Sequence, residues 1–248
     1  MIIYGKNSVF EAIKDKIKIT KIFIDKDKKG KFITLLKEIE NNGIKIAFLT
    51  EKEIEKISHT QKHQGICAEI SLPPTIMEDE KDFEFDESVR NVLILDGITD
   101  TGNFGAIIRS ALLLGCDLII LPKDNSARIT PQTIKSSAGA VYKQRILYVN
   151  NLNLWLTRLK EENFQIFGFS VDAEMTIIKT ERSDKLACII GSEHSGLRKS
   201  TKKLCDRLIY IPTTEKLNSL NAGVASAIVM WELFFKDVLS RKSIEISE

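Results

Sequence analysis

Residues 96–109 read D-G-I-T-D-T-G-N-F-G-A-I-I-R, a glycine-rich turn after the apolar run V-L-I-L (92–95) and before the apolar sequence F-G-A-I-I-R-S-A-L-L-L (104–114). A buried strand, a turn and a helix are predicted in succession, which opens an α/β unit. The turn admits several readings. Gly97 and Gly102 have the spacing of a phosphate-binding P-loop, yet Asn103 and Phe104 stand where that loop carries Lys and Ser or Thr. A dinucleotide fingerprint needs glycine where Asp100 stands, although Gly102 and Gly105 match it. The third reading is an ordinary strand-to-helix turn capped by Asn103. The following helix weakens that last reading, because Arg109 is the only charge among residues that are apolar around most of the helix. A guanidinium buried there without a partner is costly, so an acidic group or an anionic ligand is expected beside it. Glu193, just past the run A-C-I-I-G (187–191), is the best candidate partner.

Outward from this stretch, short apolar runs alternate with helical patterns: L-I-I-L (118–121), Q-R-I-L-Y-V (144–149), F-Q-I-F-G-F-S-V (164–171), A-C-I-I-G (187–191) and R-L-I-Y-I-P (207–212). Such alternation implies a mainly parallel sheet covered on both faces. Ligands of these sheets bind beyond the carboxyl ends of the strands. Three of those ends carry unusual sequences, D-G-I-T-D-T-G-N, G-S-E-H-S-G and I-P-T-T-E-K-L-N-S-L-N.

Toward the N-terminus the pattern changes at Pro73-Pro74, which opens the acidic run 73–90, with seven acidic and two basic residues. It reads as a linker between a module at 1–72 and a second domain at 91–248. Residues 1–72 hold 14 Lys and no Arg against 10 acidic residues, a net +4 that suits either contact with a polyanion or a solvated surface. Strands are predicted at 18–25, 45–50 and 65–72, a helix at 32–43, and a capping box at Thr50 with Glu53, so the module is a small α/β unit.

Composition narrows the class further. The chain has 248 residues of which 43% are hydrophobic, enough for a substantial core. Four cysteines without a C-x-x-C pair argue against a zinc ribbon or a disulfide framework. The start M-I-I-Y-G-K-N has no basic region followed by a long apolar one and no eighteen-residue apolar run occurs, so a cytoplasmic location away from membranes is expected. His59 and His63 are four apart without a third ligand, which makes a metal site improbable. Ser192, His194 and Ser195 lack the G-x-S-x-G elbow of a hydrolase. The last helical pattern, A-G-V-A-S-A-I-V-M-W-E-L-F-F (222–235), is too apolar for a solvent-exposed monomer helix, which core packing explains in part and a dimer seam explains further.

Taken together, D-G-I-T-D-T-G-N-F-G-A-I-I-R-S-A, I-I-G-S-E-H-S-G-L and I-P-T-T-E-K-L-N-S-L-N-A-G resemble, in order and spacing, the three motifs of the SpoU/TrmH family of RNA ribose 2′-O-methyltransferases. Residues 1–72, with G-K-N-S-V (5–9) and H-Q-G-I (63–66), resemble that family's L30e-like RNA substrate-binding domain. The two-domain form is most similar to enzymes that methylate a guanosine of large-subunit (23S) ribosomal RNA. Transfer RNA as the substrate, or an inactive RNA-binding member of the same fold, are the alternatives. The resemblance implies S-adenosyl-L-methionine as cofactor, a deep C-terminal trefoil knot, and a homodimer with the site completed across its interface. It further implies that Asn103, Arg109, Glu193, Ser219 and Asn221 carry the chemistry, and that the backbone at Gly191, Ile211 and Leu220 cradles the cofactor. Two departures stand out. Thr101 replaces the usual proline, and Ala222-Gly223 replaces the usual Val-Ser, which removes a serine hydroxyl.

Overall fold

The computed structural model describes residues 1–36, 43–193, 195–214 and 219–239. It contains two sheets. The first is built from β1 (Ile2–Tyr4), β2 (Ile19–Asp25), β3 (Lys45–Leu49) and β4 (Ile66–Ile70), in the order β1-β4-β2-β3. β2 runs parallel to β3 and antiparallel to β4. Helices α1 (Lys6–Lys14) and α2 (Glu51–Ser58) accompany it. α2 starts at the expected capping box: Thr50 Oγ1 accepts from the Glu53 N–H, and Glu53 Oε2 accepts from the Thr50 N–H. Of the helix predicted over 32–43, residues 33–36 are helical and 37–42 lie outside the described residues.

The second sheet has eight strands: β5 (Ile76–Met77), β6 (Asn91–Asp96), β7 (Leu118–Pro122), β8 (Ile146–Val149), β9 (Gln165–Phe169), β10 (Met175–Thr176), β11 (Leu186–Gly191) and β12 (Arg207–Tyr210). Their order is β10-β12-β9-β11-β6-β7-β8-β5, and every neighbouring pair is parallel. The apolar runs on either side of the opening turn are continuous because both faces of this sheet are covered. Leu93, Leu95, Ile119 and Leu121 face one core, while Val92, Ile94, Leu118 and Ile120 face the other. The first core is closed by α3 (Thr101–Leu113), α4 (Pro131–Ser136) and α7 (Ala222–Met230), and α7 continues through a π-helical turn at Trp231–Phe235. The second is closed by α5 (Leu152–Glu161), through Trp155, Leu156 and Leu159, beside α6 (Lys199–Leu204). α3 lies close on α4, since a Cβ on Gly105 would collide with Ser136 Oγ and stand 2.8 Å from the Thr133 carbonyl oxygen.

The acidic run 73–90 is more than the linker its charge indicates. Ile76 and Met77 pair with β8 as the sheet's edge strand. Phe83 is buried and meets Phe85 and Trp155 edge to face, with ring centroids 5.0 and 5.7 Å away. The Glu80 carboxylate accepts from the Trp155 indole N–H at 3.0 Å and from the Asn150 backbone N–H at 2.8 Å. The apolar residues of this run are spaced among acids, and composition averages them away; packing does not. Among the described residues, no helix is long and apolar enough to cross a membrane.

Candidate active site

The parallel strands bring three sequence-distant loops to one edge. β6 and β11 are neighbours in register, with Asp96 beside Gly191. The loop after β6 therefore starts next to the turn that carries Glu193. α3 begins at Asp100, whose Oδ1 accepts from the Asn103 N–H at 2.6 Å. Asp100 is the cap, where one of the alternative readings of the turn had Asn103, and this leaves the Asn103 side chain available.

That side chain joins a closed triangle. Asn103 Nδ2 donates to Glu193 Oε1 at 3.0 Å, and Asn221 Nδ2 donates to the same oxygen at 2.8 Å and to Asn103 Oδ1 at 3.1 Å. The Ala222 N–H adds a further donor to Glu193 Oε1 at 2.9 Å. Asn221 Oδ1 faces the other way and caps α7, accepting from the N–H groups of Gly223 at 2.9 Å and Val224 at 3.3 Å. Because the helix supplies donors on that side, the amide orientation is fixed by the hydrogen-bond pattern. Three of the five expected site residues meet in this network, and each comes from a different motif.

Beside the triangle lies a cavity of about 940 Å³. Its walls include Gly191, Ile211 and Leu220, and also Glu193 and Ser219. Phe169, Ile190 and Tyr210 supply apolar and aromatic surface, while Asp172 and Lys202 supply charge. A cofactor with a flat aromatic base and a zwitterionic amino-acid end matches that division of the walls. Gly191 is at a point of close approach, because a Cβ there would collide with the Gly196 carbonyl carbon. The turn is clasped by reciprocal backbone bonds, Ser192 N–H to Gly196 O at 3.2 Å and Gly196 N–H to Ser192 O at 2.9 Å. Asp172 was not singled out from sequence. Its carboxyl is held down at about 2 by the Ser170 hydroxyl and by Lys202, whose Nζ is 3.0 Å away. The F-S-V-D sequence at the end of β9 was the available signal.

Arg109 departs from expectation. It is exposed on α3, and among the described residues its side chain makes no hydrogen bond or ion pair, with Glu193 or any other acid. Glu193 is engaged by Asn103 and Asn221 instead. The helix buries Phe104, Ile107, Ile108 and Ala111, so residues one step around it, Ala106, Arg109 and Leu113, face outward. Apolarity around the whole helix was read as burial within one chain, whereas part of that apolar surface is left uncovered.

The smaller signals resolve into local structure. His63 is buried and its Nδ1 accepts from the Gly65 N–H at 3.0 Å, while His59 ends α2 with φ of 52°. Ser192 and Ser195 bond each other within their turn at 3.0 Å, and His194 lies outside the described residues.

Comparison with known proteins follows the same two parts. A model described as the SpoU rRNA Methylase family matches residues 90–231, and one described as RNA 2′-O ribose methyltransferase substrate binding matches residues 2–75. The chain is 32% identical to the 23S rRNA (guanosine-2′-O-)-methyltransferase RlmB of Escherichia coli strain K12, covering 93% of this chain and 96% of that one. It is 31% identical to the protein of the same name from Haemophilus influenzae, covering 93% and 94%. Among solved structures, the SpoU methyltransferase AviRb from Streptomyces viridochromogenes in complex with AdoMet aligns with a TM-score of 0.79 at 19% identity, covering 97% of this chain and 91% of that one. An AdoMet-bound rRNA methyltransferase from Sinorhizobium meliloti aligns with a TM-score of 0.72 at 21% identity, covering 93% and 85%.

Proposed function

Because the chain belongs to the SpoU rRNA methylase family, we propose that it methylates a ribose 2′-hydroxyl of RNA, using S-adenosylmethionine, with a guanosine of 23S ribosomal RNA as the target. The observation that carries the residue assignment is the Asn103–Glu193–Asn221 triangle, drawn from three motifs and set against the cavity. The donor, when bound, supplies an electrophilic methyl group on a sulfonium. Gly191, Ile211 and Leu220 are the residues that hold it, the glycine because the chain doubles back too closely for a side chain.

A ribose hydroxyl is a weak nucleophile, so the site has to orient it and favour its alkoxide as the proton leaves. Glu193, tied by three donors to one oxygen, is a fixed acceptor. Asn103, Asn221 and Ser219 stand around it to place the ribose and its phosphate. Arg109 acts through its charge on the developing alkoxide.

The exposed arginine also bears on assembly. Arg109 lies in a strip on α3 and α7 that includes Leu112, Leu113, Val224 and Trp231, which are 38, 66, 49 and 50% exposed. A homodimer that covers this strip buries apolar surface and gives the guanidinium a desolvated setting at a site shared between two copies. The order of β6, β11, β9 and β12, followed by the return of α7 onto α3 and β11, supports a trefoil knot in this part of the chain. Residues 1–72 serve as the RNA-docking module and 91–248 as the methyltransferase domain, acting in the cytoplasm.

The test is incubation with labelled S-adenosylmethionine and unmodified 23S ribosomal RNA, followed by mapping of 2′-O-methyl positions. Label at a guanosine, lost in Arg109→Ala while RNA and cofactor still bind, is the expected result. Arg109→Ala with a full single-turnover rate removes the arginine from the mechanism, and RNA that stays unlabelled overturns the function.

A further inference from the structure

Asp96 ends β6 with a carboxylate that is 1% exposed, and none of the roles above uses it. Burying a carboxylate is costly unless it is paired and hydrogen-bonded. Here the partners come from the chain just past the Glu193 turn. Arg198 Nη2 lies 2.5 Å from Asp96 Oδ1, and Oδ2 accepts from Thr201 Oγ1 at 2.9 Å and from the Arg198 backbone N–H at 3.4 Å. Thr201 is wholly buried, whereas the Arg198 side chain is 56% exposed. The carboxylate thus holds the start of α6 at its cap residue Arg198, which provides no side-chain cap, and at the Thr201 hydroxyl.

We propose that Asp96 is a positioning residue for the methyl donor: by gripping Arg198 and Thr201 it fixes Ser192, Glu193, Ser195 and Gly196 as one wall of the donor cavity. The proposal rests on the reading of that cavity as the donor site. Two further contacts locate the grip. Asp96 is the register partner of Gly191, so the carboxylate sits where the turn leaves the sheet. Gly97, the residue after Asp96, with φ of 88°, passes so close to the turn that a Cβ on it would be 3.3 Å from Ser192 Cβ. The turn is thus held at Gly191 and Ser192 on entry and at Arg198 and Thr201 on exit. Between these points Glu193, Ser195 and Gly196 line the cavity. One turn further along α6, Lys202 pairs with Asp172, and both line the cavity. Loss of the grip frees both the wall and that bridge while leaving the sheet in place.

The test uses the full-length protein with S-adenosylhomocysteine as the calorimetric probe, together with backbone amide exchange at Ser192 and Gly196. Asp96→Asn is expected to bind the probe about tenfold more weakly, the scale of one charge-assisted hydrogen bond. It should also raise the KM for S-adenosylmethionine while kcat at saturation stays close to wild type, and speed exchange of both amides. A general loss of stability would instead lower kcat with the melting temperature. Arg198→Gln and Arg198→Lys, at an exposed side chain, carry the same test if Asp96→Asn does not fold; Lys keeps the charge facing Asp96 and should recover most of the affinity that Gln loses. Wild-type affinity in Asp96→Asn, or Arg198→Lys no better than Arg198→Gln, overturns the proposal. If the wild-type protein does not bind the probe, the donor reading itself fails, and unchanged amide exchange in the variants then rejects the grip separately.

Discussion

Asn221 has two functions at opposite ends of one amide, and substitution separates them. Its oxygen caps α7 through Gly223 and Val224, and its nitrogen bridges Glu193 and Asn103. Asn221→Ala removes both. Loss of the cap costs about 1 kcal/mol, which lowers the melting temperature of a chain this size by about 2–4 °C. The bridge adds little to stability, because Glu193 and Asn221 are exposed and water replaces the lost donors. Asn221→Ser keeps an equivalent cap, but its one short hydroxyl is occupied there and does not reach Glu193. Its melting temperature should match wild type to within about 1 °C, since Ser and Asn are equal as caps. Its single-turnover methylation rate should nevertheless fall by about 100-fold, the cost of letting an oriented acceptor shift by an ångström. Thermal melts and single-turnover label transfer, on the same preparations, provide the comparison. A serine variant with the wild-type rate would refute the catalytic use of the triangle; a serine variant that melts as low as the alanine variant would refute the cap.

Thr101→Pro should stabilise the protein by about 0.4–1 kcal/mol, because Thr101 is the first residue of α3 and Asp100, at φ −72° and ψ 122°, already has the conformation preferred before proline; a lower denaturation midpoint would show that the turn needs the threonine. Gly191→Ala forces the turn outward, since the new Cβ meets the Gly196 carbonyl carbon, and calorimetry should show S-adenosylhomocysteine binding lost while circular dichroism is unchanged. Binding at wild-type affinity would place the cofactor elsewhere. Burial pushes the thiols of Cys67 and Cys116 up to about 12 and that of Cys205 to about 11. These groups keep their protons in the folded state, whereas in the unfolded chain they ionise near about 8.5. Their contribution to stability is complete below that pH and is lost as the pH rises toward 11–12. The urea midpoint should therefore decline between pH 8.5 and 11, and a flat profile would contradict the burial of these thiols.

The sheet was legible because its strands are buried on both sides. V-L-I-L and L-I-I-L have no polar face that would leave strand and surface helix as rivals, and the structure extends each by only one or two residues. The capping box at Thr50 was equally plain, since its two hydrogen bonds depend on residues three apart. Register and strand order were not legible. Nothing local tells β11 to insert between β6 and β9, because that choice is made by side chains from distant segments. The packing of the 73–90 run was not legible for a related reason. Its charge is a local property, while the value of Phe83 and Glu80 depends on Trp155, which lies more than seventy residues away.

At the site, residue types were more legible than their partners. Arg109 and Glu193 were paired on the rule that a lone charge in an apolar helix needs a counter-charge, and within one chain that rule gave the wrong pairing. Arg109 is exposed, so the cost of a buried, unpaired charge does not arise within the single chain. Glu193 Oε1 is already saturated by two amides and a backbone N–H, so it has no need of the arginine in its own chain. Leu112, Leu113 and Trp231 are exposed apolar surface that water covers only at a cost, and Arg109 is exposed on the same helix as the two leucines. We propose that a second copy covers that surface. On that proposal the single chain has a built acceptor and a separate cation, and dimerisation is the step that completes the site. Sedimentation should show a dimer at assay concentrations, and Trp231→Glu, which leaves Asn103, Glu193 and Asn221 in place, should yield a folded monomer that binds S-adenosylhomocysteine but does not transfer its methyl group to RNA from S-adenosylmethionine. A monomeric variant with full activity would mean that Arg109 works alone, and would return its role to the single chain.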